Sequence, residues 1–172
     1  MARIRGRDTG PERLLRSLLW RAGFRFRLAA RIGRVQPDLV LPSHRVAVFV
    51  DGCFWHGCPA HYVRPRTSMQ FWAKKLRENV ERDRRQTSDL EKAGWGVLRY
   101  WEHEVFTRAA AIAADVTRQA RSPGRRSREP AWRAVRVESV AQDGQLERWN
   151  LVTLRDPLRF RTVERKRTTA KW

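Results

Sequence analysis

At 172 residues with 41% apolar content, the chain can bury one core of ordinary size and carry a short appendage. Lys and Arg number 37 against 18 Asp and Glu, and the net charge of +19 implies a polyanionic partner, with nucleic acid ahead of anionic membrane. No apolar run approaches the roughly 20 residues of a spanning helix and the opening residues have no apolar signal stretch, so a cytoplasmic location without membrane attachment is expected. Eight tryptophans are expected mostly in the core, although a basic surface can also use aromatics to stack on bases. Cys53 and Cys58 are the only cysteines, and in a chain without an export signal they indicate a metal site rather than a disulfide.

In chain order, Thr9, Pro11 and Glu12 have the spacing of a capping box opening a first helix. Leu14, Leu15, Leu18, Leu19 and Ala22 form its apolar stripe, and Gly23 ends it. The short apolar segments 24–28, 39–41 and 45–50 read as strands of a central sheet. Residues 51–65, broken by Gly52, Gly57, Pro59 and Pro65, read as an irregular loop. A long helix is predicted over 71–93, a buried strand over 96–100 and a last helix over 104–120, which together indicate an α/β domain spanning residues 1–120. Residues 121–172 begin as a basic, breaker-rich linker. Segments 132–140 and 146–154 then flank Asp143-Gly144, a hairpin signal, before a basic tail.

Within the loop, Cys53, Cys58 and His61 form Cys-x4-Cys-x2-His, and His103 follows the strand at 96–100. Four such ligands suit a structural Zn2+ site that would hold a loop with little apolar content of its own. The competing explanation is two buried free cysteines beside unrelated histidines. Asp38 at the entrance to one strand and Asp51 at the end of the next bring two carboxylates toward one another, an arrangement that suits Mg2+. Asp83 falls in the apolar stripe Leu76, Val80, Thr87, Leu90, where an unpaired charge is costly, so a buried ion pair and an active-site role compete for it. Glu12 borders the first helix's leucine stripe and serves either as a cap or in chemistry. His56 lies outside the metal spacing and is available for proton transfer near neutral pH.

The segment Val48-Phe-Val-Asp-Gly-Cys-Phe-Trp-His-Gly-Cys-Pro-Ala-His61 resembles the very short patch repair DNA mismatch endonucleases. The likeness extends to Arg5-Gly-Arg-Asp-Thr-Gly-Pro-Glu12, Pro37-Asp38, Phe71-Trp72, residues 79–85 and residues 94–102, and covers about 115 residues in family order. It implies a restriction-endonuclease-like α/β fold of the PD-(D/E)XK type: a mixed central sheet flanked by helices, with a zinc-bound loop. By the same likeness one strand of duplex DNA is nicked on the 5′ side of the thymine in a T·G mismatch, a lesion left when 5-methylcytosine deaminates.

The resemblance also implies roles. Asp38 and the main-chain carbonyl of Val50 would hold magnesium, and His56 would act as general base or orient the attacking water, supported by Glu12 and Asp83. Cys53, Cys58, His61 and His103 would bind zinc, while Phe54, Trp55 and Trp72 would wedge between base pairs, where a mismatch resists unstacking least. The chain departs from the family pattern at Val50-Asp51, where Thr-His is familiar, leaving Asp51 as a candidate extra magnesium ligand, and at His103, where cysteine is frequent. A monomer held at the nucleoid through DNA binding, and working ahead of mismatch or excision repair proteins, is the expectation. Its competitors are a restriction-type or lesion-directed nuclease on the same fold and a non-catalytic, zinc-stabilised DNA-binding protein.

Overall fold

The computed structural model describes residues 8–58, 60–63 and 65–122, together with the backbone of 135–140 and 146–151. The chain divides into two compact units, Met1–Gly52 with Arg84–Glu129 and Cys53–Asp83 with Pro130–Trp172.

The first unit is built on a three-stranded mixed sheet in the order β1-β2-β3. Strand β1 (Leu39–Leu41) runs antiparallel to β2 (Val46–Asp51), and β2 runs parallel to β3 (Gly96–Trp101), with Val48 opposite both Leu39 and Leu98. Both faces are covered, which is why the strands read as continuous apolar runs. On one face Val46, Val48, Leu98 and Tyr100 pack with Leu15 and Leu19 of α1 (Gly10–Arg21) and Val105, Ile112 and Val116 of α3 (Glu102–Arg121). On the other, Ala47, Phe49 and Val97 pack with Val35 and with Leu90 near the end of α2 (Met69–Lys92). The expected α/β architecture, a mixed sheet flanked by helices, is therefore present.

Local departures have physical causes. Thr9 precedes α1 without capping it, because its hydroxyl donates to Glu12 Oε1 at 2.9 Å instead of accepting a helix N–H. The strand expected over 24–28 reduces to one bridge, Arg27 to Val40, since Gly23 (φ +88°) and Ala29 (φ 52°) turn the chain on either side. Leu14 is exposed while Leu15 and Leu19 are fully buried, so the core stripe of α1 is narrower than predicted. The tryptophans depart most. Among those with described side chains only Trp101 is buried, whereas Trp55, Trp72 and Trp95 are half-buried and Trp20 is exposed.

One arginine ties the β1–β2 connection to the turn before β3. Arg45 adopts a left-handed backbone (φ 51°), and its guanidinium donates to the carbonyls of Gly94 at 3.2 Å and Ala93 at 2.7 Å. These are carbonyls that the end of α2 would otherwise leave without a helical partner.

In the second unit the N-terminal part of α2 accompanies the irregular segment after Gly52, and β4 (Val135–Val140) pairs antiparallel with β5 (Leu146–Leu151), Val140 opposite Leu146. The predicted hairpin is thus present over shorter strands. Its Asp143-Gly144 turn, the basic linker and the basic tail lie outside the described residues. Among the described residues, no helix is long and apolar enough to cross a membrane.

Candidate active site and metal-ligand loop

In the first unit the carboxylates gather at one end of the sheet. Asp38 directly precedes β1, its N–H donating to Val48 O at 3.1 Å, and its Oδ2 accepts the N–H of Val50 at 2.8 Å. This contact locks the side chain against the last residues of β2. Burial pushes the Asp38 carboxyl up to about 6 from its ordinary 3.8; the Val50 N–H opposes this, Glu12 and Asp51 reinforce it, and Arg99 opposes it. A cation placed beside this carboxyl would favour its ionised form.

Glu12 and Asp51 are each buried, 4% and 2% exposed, and each has an arginine. Glu12 accepts from Arg16 Nη2 at 2.5 Å, the Thr9 hydroxyl at 2.9 Å and the Asp8 N–H at 3.1 Å. Arg16 also reaches Asp8 at 2.6 Å. Asp51 receives Arg99 Nε at 2.9 Å and Nη2 at 2.6 Å, a two-pronged pair between neighbouring parallel strands. All three partners of Glu12 belong to α1 or the residues just before it. Both oxygens of Asp51 are engaged by a guanidinium that sequence reasoning did not single out.

In the second unit, Asp83 is buried in the stripe of α2 as predicted, and its partner is a histidine: His56 Nδ1 lies 2.5 Å from Asp83 Oδ2, with the imidazole half-buried. Arg82 also approaches Asp83, at 3.4 Å. The segment bearing His56 is tight. Gly57 sits at φ +71° where a Cβ would meet Leu76 Cδ1 at 2.9 Å, and Asn79 Nδ2 donates to Trp55 O at 2.8 Å. Glycine is thus required at position 57 on two counts.

Cys53 and Cys58 are buried, outside any disulfide, and converge on one imidazole, with His61 Nδ1 at 3.9 Å from Cys53 Sγ and 3.6 Å from Cys58 Sγ. Their local turn is closed by the Cys58 N–H donating to Cys53 O at 2.9 Å. Two thiols and an imidazole within 4.8 Å of one another form a soft, nitrogen-and-sulfur donor set. His103 stands in the first turn of α3, half-buried.

The described aromatic side chains of this unit, Phe54, Trp55, Tyr62, Phe71 and Trp72, form one cluster. Ring centroids lie 5.2 Å apart for Phe54 and Trp55, 5.2 Å for Phe54 and Trp72, and 5.9 Å for Trp55 and Trp72. Tyr62 joins through Phe54 at 6.1 Å and exposed Phe71 through Trp72 at 5.2 Å. A small hollow beside them is lined by Phe54, Trp55, Tyr62 and Trp72 with Lys75, Leu76 and Asn79.

The sequence reading missed Arg16, Arg99, Tyr62 and Asn79 as supports of the predicted residues. Arg99 left a usable signal, being the one charge in the apolar run 96–101 and lying opposite a strand that ends in Asp51. Arg16 left one as well, spaced four residues after Glu12 on the same helix.

The chain is similar to several known proteins. The model of the family described as DNA mismatch endonuclease Vsr matches residues 1–61. A type II nicking enzyme, V.NaeI, of Lentzea aerocolonigenes is 49% identical over 112 residues, covering 62% of this chain and 68% of that protein. The type II nicking enzyme V.XorIIP of Xanthomonas oryzae is 39% identical over 106 residues, covering 61% and 78%, and the DNA mismatch endonuclease Vsr of Escherichia coli is 42% identical over 103 residues, covering 59% and 66%. Among solved structures, the catalytic domain of homing endonuclease I-Bth0305I overlays 64% of this chain and 93% of its own at a TM-score of 0.45 and 16% identity. From the family match and the identity shared with these relatives, the chain belongs to the family of the DNA mismatch endonuclease Vsr.

Proposed function

We propose that the chain is a magnesium-dependent, zinc-stabilised DNA endonuclease that nicks one strand 5′ to the thymine of a T·G mismatch. The observation that carries the enzymatic part of this reading is the bond between His56 and buried Asp83. A base oriented by a second group is the arrangement general-base proton transfer uses. In this reading His56 takes a proton from the attacking water or orients it, and Asp83 holds the imidazole in the needed tautomer.

Asp38 and the Val50 carbonyl would hold magnesium, a hard cation matched to oxygen donors, and Glu12, braced by Arg16, supports the same acidic region. Magnesium, when bound, supplies charge neutralisation for the scissile phosphate and its leaving oxygen. Asp51 accepts one Arg99 bond on each oxygen, and since a carboxylate oxygen can accept more than one, it would serve as a further magnesium ligand. Cys53, Cys58 and His61, with His103 as fourth ligand, would hold zinc and fix the loop that carries His56. Phe54, Trp55 and Trp72, already packed edge-on against one another, would open the base step beside the mismatch, where unstacking costs least. The partner is duplex DNA, the working form a monomer, and the nick is handed to downstream repair proteins.

A second reading has its own support: relatives named type II nicking enzymes favour nicking within a restriction-linked sequence context. The deciding experiment offers the protein matched duplexes and duplexes with each mismatch in varied flanking sequence, with magnesium. Preferential nicking of T·G supports the proposal, whereas equal nicking of matched duplex favours the second reading. Tight binding without any nicking counts against both.

A further inference from the structure

Between Glu12 and Asp38 the chain contains no acidic residue but seven arginines, at positions 13, 16, 21, 25, 27, 31 and 34. Arg16 is taken up by Glu12 and Asp8. Arg21, Arg25, Arg27, Arg31 and Arg34 are all exposed, and among the described residues none of them forms an ion pair. Uncompensated like charges this dense repel one another and raise the energy of the folded state, so a fold that displays them implies a counter-charge elsewhere.

The segment is also pinned. Arg27 exchanges backbone hydrogen bonds with Val40, at 2.8 and 3.0 Å, two residues beyond Asp38. Phe24 is buried and Phe26 packs against the core, so Arg25 and Arg27 alternate outward. Ile32 and Val35 exchange hydrogen bonds at 2.9 and 3.1 Å around Gly33 (φ +59°), which places Arg34 in a tight turn with Arg31 at its foot. Gln36 Nε2 closes the same loop onto Ala29 O at 2.7 Å. Exposed Trp20 carries the Arg25 guanidinium 4.0 Å above its ring, with Phe26 edge-on to it. These anchors fix the backbone that presents the guanidinium groups, so little further chain ordering is needed on binding.

We infer that the surface formed by Trp20, Arg21, Arg25, Arg27, Arg31 and Arg34 is a contact site for the phosphate backbone of duplex DNA, separate from the residues assigned to cleavage. The inference rests on the DNA-nicking reading for its choice of polyanion. Guanidinium groups pair with phosphate oxygens at good geometry, and the rigid attachment of this loop to the strand behind Asp38 would set the register of the duplex on this unit. Contacts of this kind are blind to base sequence. They contribute affinity and orientation, and they release counterions.

The test measures binding of the full chain to a mismatched duplex several turns long, as a function of salt. It compares wild type with a variant carrying Arg25→Gln, Arg27→Gln, Arg31→Gln and Arg34→Gln, and with the corresponding four-lysine variant. Abolishing one guanidinium–phosphate pairing should flatten the slope of log affinity against log salt by about one. The glutamine variant should therefore bind more weakly with a distinctly shallower slope, and the lysine variant should recover most of both. A glutamine variant with wild-type affinity and slope would overturn the inference and leave the surface to an acidic protein partner. Wild type that binds duplex but never nicks it sinks the proposed function while the slope comparison still decides this surface; wild type that does not bind duplex sinks both.

Discussion

Asp51 and Arg99 meet between two neighbouring parallel strands, the guanidinium donating through Nε and Nη2 to the two carboxylate oxygens while both side chains stay almost fully buried. Arg99 also lies 4.4 Å above the ring of Phe49, the residue opposite it in the β2–β3 register. Removing one member of such a pair strands a buried charge, at a cost of about 3–5 kcal/mol, whereas replacing both with apolar groups is often neutral. Arg99→Met should therefore lower the melting temperature markedly, and Asp51→Leu combined with Arg99→Met should restore much of it. Thermal denaturation of the two single variants and the double closes the cycle; additive losses would mean that the pair is not coupled.

The burial that raises Asp38 to about 6 has a definite sign. The fold favours the neutral acid, so in the absence of metal this residue's contribution to stability is fully present below its ordinary value of 3.8 and is lost as pH rises through about 6. Magnesium requires the ionised form. Magnesium affinity and nicking should both fall as pH drops below about 6, following the raised carboxyl. Asp38→Asn should melt higher than wild type at neutral pH without metal, and magnesium should leave it unmoved. Melting curves across pH with and without magnesium check this, and an Asn variant that melts lower than wild type in metal-free neutral buffer would count against it.

His56 and Asp83 should act as a unit. Asp83→Asn keeps the shape but disturbs the imidazole's tautomer, and nicking at saturating duplex should fall by about 10²–10⁴, the range expected when general base catalysis is lost. His56→Ala should cost about as much, and the double variant little more. Single-turnover nicking measures all three; a double variant with the product of the two losses would show independent roles.

How much of this was legible in the sequence varies by residue. The stripe of α2, the buried Asp83 within it and the apolar strands were readable because period and burial are local properties of the chain. Cys53, Cys58 and His61 were readable by spacing, and the structure adds that both thiols face one imidazole. Periodicity and spacing alone did not choose a partner for Asp83 among the many arginines and His56, 27 positions away; the family resemblance did, by making Asp83 a support of His56. The segment 24–28 failed for a different reason: its alternation of Phe and Arg is strand-like, yet turns on both sides leave it room for a single bridge.

Zinc removal should destabilise locally and strongly, since bonds from Cys53, Cys58 and His61 to the ion would pin the irregular segment after Gly52. Chelation, or Cys53→Ala, should lower the melting temperature and release about one zinc per chain. Gly57→Ala should also destabilise, because a side chain there meets buried Leu76 and the backbone is left-handed. Withdrawing magnesium should leave the fold intact, with a far smaller change in melting temperature than zinc removal brings. Metal analysis and calorimetry separate these effects, and identical melting with and without zinc would remove the zinc assignment.

The most direct measurement is strand nicking of a T·G duplex and its matched counterpart by wild type and Asp38→Ala, each with magnesium and with EDTA. The expected result is a single nick on the 5′ side of the mismatched thymine by wild type with magnesium alone, and none by Asp38→Ala. Nicking that persists in Asp38→Ala, or that proceeds in EDTA, would contradict the account.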